Sequence, residues 1–143
     1  MRVHIASDHA GLDLKEAVRL RLEEKGYTII DHGTHSAEST DYPDYAHSLS
    51  QSVLEEGEEG RGILVCGTGI GMSMAANRHK GIRAALCTCE FHARATREHN
   101  NANVLCLGSR VTGEGVAFDV VDIFLKTAYV GGRHERRVQH IEP

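Results

Sequence analysis

The chain reads as an α/β protein with a five-stranded parallel sheet, helices on both faces and a short helical tail. Three observations predict this. Short apolar runs recur at Val3 to Ala6, Tyr27 to Ile30, Gly62 to Cys66, Ile82 to Leu86 and Asn103 to Leu107. Each run is rich in Val, Ile or Leu, as a strand buried on both faces should be. Amphipathic segments separate the runs, and strand, helix, strand in alternation implies a parallel sheet with right-handed crossovers.

The elements follow in chain order. After the first run, Leu14, Ala17, Val18 and Leu22 share one helical face, while Lys15, Glu16, Arg19 and Glu23 fall on the other. Gly26 is placed to stop that helix. Asp44 is expected to cap a second helix that carries Ala46, Leu49 and Val53. Ala117, Val120, Val121, Phe124 and Leu125 form the clearest apolar stripe. Gly131 and Gly132 then break the chain before a polar last helix, Arg133 to about Ile141. No linker, repeat or low-complexity segment divides the 143 residues, so one domain over 1–143 is expected.

Composition excludes several classes. Hydrophobic residues make up 41% and charged residues 25%, an ordinary globular mix, and the net charge of -4 leaves no footprint for nucleic acid. No apolar run is long enough for a membrane span, and the start MRVHIASDHAG lacks the layout of a signal peptide. A cytoplasmic location is expected by default. Cys66, Cys87, Cys89 and Cys106 form no C-x-x-C pair, and three of them fall in apolar runs, which points to reduced, mostly buried thiols. The ten histidines show no ligand spacing, so no metal is expected.

In open parallel sheets, ligands bind beyond the carboxyl ends of the strands. Ser7-Asp8-His9, Cys66-Gly67-Thr68-Gly69-Ile70-Gly71 and Gly108-Ser109-Arg110 occupy such ends. The second is the most informative. Its alternate glycines let the backbone approach a ligand and aim several N–H groups at it, and the helix start adds a positive dipole end, so an anion is expected. The run fits neither the dinucleotide fingerprint, because position 72 is Met, nor the P-loop, because no Gly-Lys-Ser/Thr follows. Cys66 is either a thiol activated at a helix start or a buried residue closing a strand. Thr68 offers a hydroxyl for proton transfer or for capping. Asp8 and His9 pair an acid with an imidazole, although Asp8 also suits a helix cap.

His99-Asn100 precedes the fifth strand, at the opposite edge of the sheet from Cys66. The segment is either a structural turn or serves a neighbouring subunit's pocket. Arg133 and Arg137 are spaced for one helix face, where two guanidinium groups suit a phosphate or are ordinary surface charge; Arg110 carries the same two readings.

Together these residues resemble the ribose-5-phosphate isomerase B and galactose-6-phosphate isomerase family over nearly the full length. The likeness rests on S-D-H-A-G (7–11), G-T-H-S (33–36) with T-D-Y-P (40–43), C-G-T-G-I-G (66–71), A-A-N (75–77), G-I-R-A (81–84), H-N (99–100), N-V-L (103–105), G-S-R (108–110) and G-G-R-H-E-R-R-V (131–138). The resemblance implies a Rossmann-like three-layer α/β/α sandwich that assembles as a homodimer or a pair of dimers and uses neither metal nor organic cofactor. It implies that Cys66 moves a proton between C1 and C2 of a sugar phosphate. The loop Gly67, Thr68, Gly69, Ile70, Gly71 would hold the enediolate, with Thr68 assisting transfer between oxygens. His99 with Asp8 would open the furanose ring. His9, Arg110, Arg133 and Arg137 would cradle phosphate, while Tyr42 and Asn100 would face the sugar. His99, Asn100 and Arg110 would reach across a dimer interface. Another branch of the family has a glutamate directly after the glycine loop, where this chain has Met72, so the cysteine branch fits. The implied substrate is ribose 5-phosphate, with six-carbon phosphates such as allose 6-phosphate or galactose 6-phosphate as the alternative. A phosphate- or nucleotide-binding module is the non-enzymatic alternative.

Overall fold

A computed structural model describes residues 1–143 in full. The strands are β1 (Arg2–Ser7), β2 (Thr28–Asp31), β3 (Gly62–Cys66), β4 (Ala84–Leu86) and β5 (Val104–Gly108). The helices are α1 (Leu12–Glu24), α2 (Tyr42–Glu55), α3 (Ile70–Ala76), α4 (Glu90–Asn100), α5 (Glu114–Lys126) and α6 (Glu135–Gln139). All strand pairs are parallel, in the order β2-β1-β3-β5-β4. The five expected strands are therefore present.

Side-chain alternation along the strands explains the three layers. Ile5, Ile63, Val65, Leu105 and Leu107 face one side, where Val18 and Leu22 of α1 and Val120 and Phe124 of α5 cover them. Ala6, Leu64, Val104 and Cys106 face the other, beneath Leu49 and Val53 of α2 and Met72 of α3. Each such fully buried Val, Leu, Ile, Phe or Met contributes about 1.5–3 kcal/mol in transfer terms. The α5 stripe expected from the sequence is buried throughout.

Three local expectations need correction. Helix α2 starts at Tyr42, two residues before Asp44. Asp41 occupies the N-cap, with Pro43 in the first turn, where its missing N–H costs nothing. The tail is shorter than expected, a turn at Gly132–His134 followed by α6, and it begins with two left-handed glycines, Gly131 and Gly132.

Lys15 is the third correction. It does not point outward with Glu16 and Arg19 but is fully buried. Its ammonium donates to both carboxylate oxygens of Asp31 at 2.8 Å and to the Thr34 carbonyl at 2.7 Å. Burial of a lone ammonium is costly, and these acceptors offset that cost. The contacts fasten the end of β2 and the loop after it to α1.

Candidate active site

The strand order reverses between β1 and β3: β1 leads outward to β2 on one side, and the chain then crosses to β3 on the other. A crevice at the carboxyl ends of the strands forms at such a switch point. Here it is a cavity of about 490 Å³ lined by Asp8, His9, Tyr42, Cys66, Gly67, Thr68, Ile70, Gly71 and Arg110, together with Ala10 and Met74.

Backbone hydrogen bonds tie its three loops into one frame. Asp8 N–H donates to the Val65 carbonyl at 3.3 Å, Ser109 N–H to Cys66 O at 2.8 Å and Arg110 N–H to Gly67 O at 3.0 Å. The Ser109 hydroxyl donates to Ala10 O at 2.7 Å, joining the β5 loop to the β1 loop. Close approach demands glycine at particular positions. A Cβ on Gly108 would stand 2.5 Å from Thr68 O, and one on Gly71 would stand 2.6 Å from the Tyr42 ring. Gly69 adopts φ +78°, and a Cβ there would meet Leu86 at 2.6 Å. Alternate glycines thus let the loop fold back tightly between β5 and α2.

Cys66 is 5% exposed yet borders the cavity. Gly69 N–H donates to its Sγ at 3.1 Å, and Ile70 N–H donates to the Thr68 hydroxyl at 3.2 Å. Burial pushes Cys87 up to about 12 and Cys106 well above the ordinary thiol range, which keeps both protonated. Asp8 both caps a turn and borders the cavity. Its Oδ1 caps the turn at His9–Gly11 by accepting from Gly11 N–H at 3.1 Å, and its side chain lines the cavity.

His9 was expected, but what fixes it was not. Thr40 N–H donates to its Nδ1 at 3.1 Å, so the proton of the neutral ring resides on Nε2. The donor is a backbone group in an irregular loop, so no side-chain pattern signals it. Ala10 and Met74 were likewise not singled out.

The structure does not bring every expected residue to this cavity. His99, Asn100, Arg133 and Arg137 are exposed and lie toward the amino ends of the strands, where α4 ends and the tail packs on it. The His99 ring stacks on His134 with centroids 4.3 Å apart, and Arg137 donates to the Arg133 carbonyl at 3.4 Å. Arg110 departs from the expectation in the opposite sense. It lines the same chain's cavity, and a Cβ on Gly67 would stand 3.3 Å from its Nη1. It follows β5 directly, so the sheet itself delivers it next to β3.

A thiol, a hydroxyl and a glycine-rich loop thus stand at the switch point of a parallel α/β sheet, where α/β enzymes bind their ligands. Comparison with known proteins narrows the class: residues 3–141 match the Ribose/Galactose Isomerase family, and the chain belongs to it. It is 46% identical to the ribose-5-phosphate isomerase B of Escherichia coli, over 98% of this chain and 93% of that protein. A ribose 5-phosphate isomerase of Thermotoga maritima superposes with a TM-score of 0.95 at 55% identity, covering 99% of this chain and 97% of that one. The Mycoplasma genitalium ribose-5-phosphate isomerase B with bound ribulose 5-phosphate has a TM-score of 0.95 at 43% identity, covering 98% of this chain and 93% of that one.

Proposed function

We propose that the protein interconverts ribose 5-phosphate and ribulose 5-phosphate through an enediolate, using its own side chains and loop amides, as a cytoplasmic homodimer or homotetramer. The observation that carries this is the Cys66 thiol at the edge of the cavity, beside the amides of Gly67 to Gly71. No helix is long and apolar enough to cross a membrane, which accords with a substrate met in solution.

The chemistry follows from the geometry. Cys66, as thiolate, takes the C2 proton of the open-chain aldose. The electron pair moves into a C1–C2 double bond, and negative charge develops on oxygen. Loop amides aimed at that oxygen are worth roughly 2.7–4 kcal/mol per donor. The Thr68 hydroxyl passes a proton from O2 to O1, and Cys66 returns its proton to C1, completing the ketose. One base on one face serves both carbons, and such a base supplies about 10²–10⁴-fold.

The phosphate provides binding energy away from the reacting carbons. His9, donating from Nε2, and Arg110 are the cavity's groups for it. Ring opening needs an acid on the ring oxygen and a base on the C1 hydroxyl. Asp8 is in place for one part. We assign the other to His99 of a second copy, with Asn100, Arg133 and Arg137 of that copy closing over the sugar and its phosphate. Their exposure, away from this chain's own cavity, supports that assignment.

A panel of five- and six-carbon aldose phosphates tests the substrate. The highest kcat/KM is expected for ribose 5-phosphate. A higher value for allose 6-phosphate or galactose 6-phosphate would reassign the enzyme within its family.

A further inference from the structure

The largest cavity in the molecule is not the one beside Cys66. It lies at the amino ends of the strands, has a volume of about 690 Å³, and is lined by Arg61, Arg83 and Arg97, with Asn103, Tyr129 and Glu135 among its other residues. Arg61, Arg83 and Asn103 immediately precede β3, β4 and β5, so the sheet register converges them. Arg97 is 3% exposed and comes from the inner face of α4.

Backbone carbonyls hold all three guanidinium groups. Arg61 donates to Glu58 O and Gly60 O, both at 2.8 Å. Arg83 donates to Asn101 O at 2.9 Å and Gly81 O at 3.3 Å. Arg97 donates to Thr127 O at 3.1 Å and to Ala102 O. None of the three has a carboxylate within ion-pairing distance. Burial lowers the pKa of each, Arg97 to about 10, and the neighbouring arginines add to the effect at Arg97. Tyr129, with Glu135 beside its hydroxyl, lines the same cavity. Glu59 near Arg61, and Glu142 and Glu135 near Arg83, offset this burial only from beyond ion-pairing distance, so three immobilised cations line one cavity without a direct anionic partner, an arrangement that a bound anion completes.

We propose that this cavity binds the phosphate group of a small metabolite at a site separate from the Cys66 cavity. The guanidinium N–H groups not spent on backbone carbonyls suit phosphate oxygens. The carboxylates of Glu58, Glu59 and Glu135 also line the cavity, but these residues are exposed while the guanidinium groups are recessed. Such a rim repels a polyanion and accepts hydrogen bonds from hydroxyl groups, so the fitting ligand is a hydroxylated phosphate monoester. The proposal does not depend on the isomerase reading.

Inorganic phosphate is the probe, followed through the arginine Nε–H resonances of the intact protein. The signals of Arg61, Arg83 and Arg97 are expected to shift saturably, and to do so equally in an Arg110→Gln protein. Arg61→Gln should weaken this binding by at least about tenfold, as loss of charge-assisted hydrogen bonds implies, with sugar-phosphate isomerisation unchanged. If those three signals stay still while phosphate saturates Arg110, or if Arg110→Gln abolishes their shifts, the second site does not exist.

Discussion

The two ends of the sheet are built differently. At the carboxyl end, loops after β1, β3 and β5 are bound to one another by backbone hydrogen bonds, and the reactive side chains stand on that frame. At the amino end, His99, Asn100, Arg133 and Arg137 project into solvent from a helix terminus and a short tail. The first arrangement is preorganised within one chain. The second lies apart from the Cys66 cavity. On the proposed function, the rigid half-site and the exposed set of side chains are complementary parts, to be brought together by a second copy turned end for end.

The largest effect should come from mixing two inactive variants. Cys66→Ala and His99→Asn each lose turnover alone. A symmetric dimer whose sites draw Cys66 from one chain and His99 from the other should recover about one quarter of normal activity on random mixing, because half the pairs are mixed and half their sites are intact. Activity assays after subunit exchange check this. No recovery would mean that both residues act within one chain, and full activity of His99→Asn by itself would mean that His99 has no part in turnover.

A smaller effect separates the frame from the chemistry. Gly69→Ala forces a side chain into a φ of +78° and against Leu86, so unfolding free energy should fall by at least about 1–3 kcal/mol, read by denaturant titration. The same change at Gly113, where no atom lies within 4 Å, should cost little.

The smallest effect lies in the pH dependence. His32, its ring nitrogen 2.8 Å from that of His4, has a pKa lowered by burial and then by His4. The unfolded chain therefore binds more protons than the native one just below the ordinary histidine value of about 6.5. Stability should be full above that pH and should decline as pH falls below it. His32→Gln should flatten the decline, measured as denaturation midpoints between roughly pH 5 and pH 8.

Much of this was legible from residue order. Apolar runs such as Gly62 to Cys66 mark strands because both sheet faces are covered, and the alternate glycines of 67–71 mark a loop under close approach. Lys15 was misread because helical periodicity treats every lysine as solvated, whereas Asp31 and the Thr34 carbonyl supply its partners across the fold. Thr40 as the anchor of His9 left no trace, since a backbone amide has no sequence signature. Arg61 and Arg83 meet because β3, β4 and β5 lie in register, and Arg97 joins them from the inner face of α4.

The central claim is that the sulfur of Cys66 carries the proton. Substrate incubated in deuterium oxide should gain deuterium at the reacting carbon with the intact enzyme. With Cys66→Ala that exchange should fall by at least about 10²–10⁴-fold while substrate still binds. Exchange at the normal rate in Cys66→Ala would place the base elsewhere.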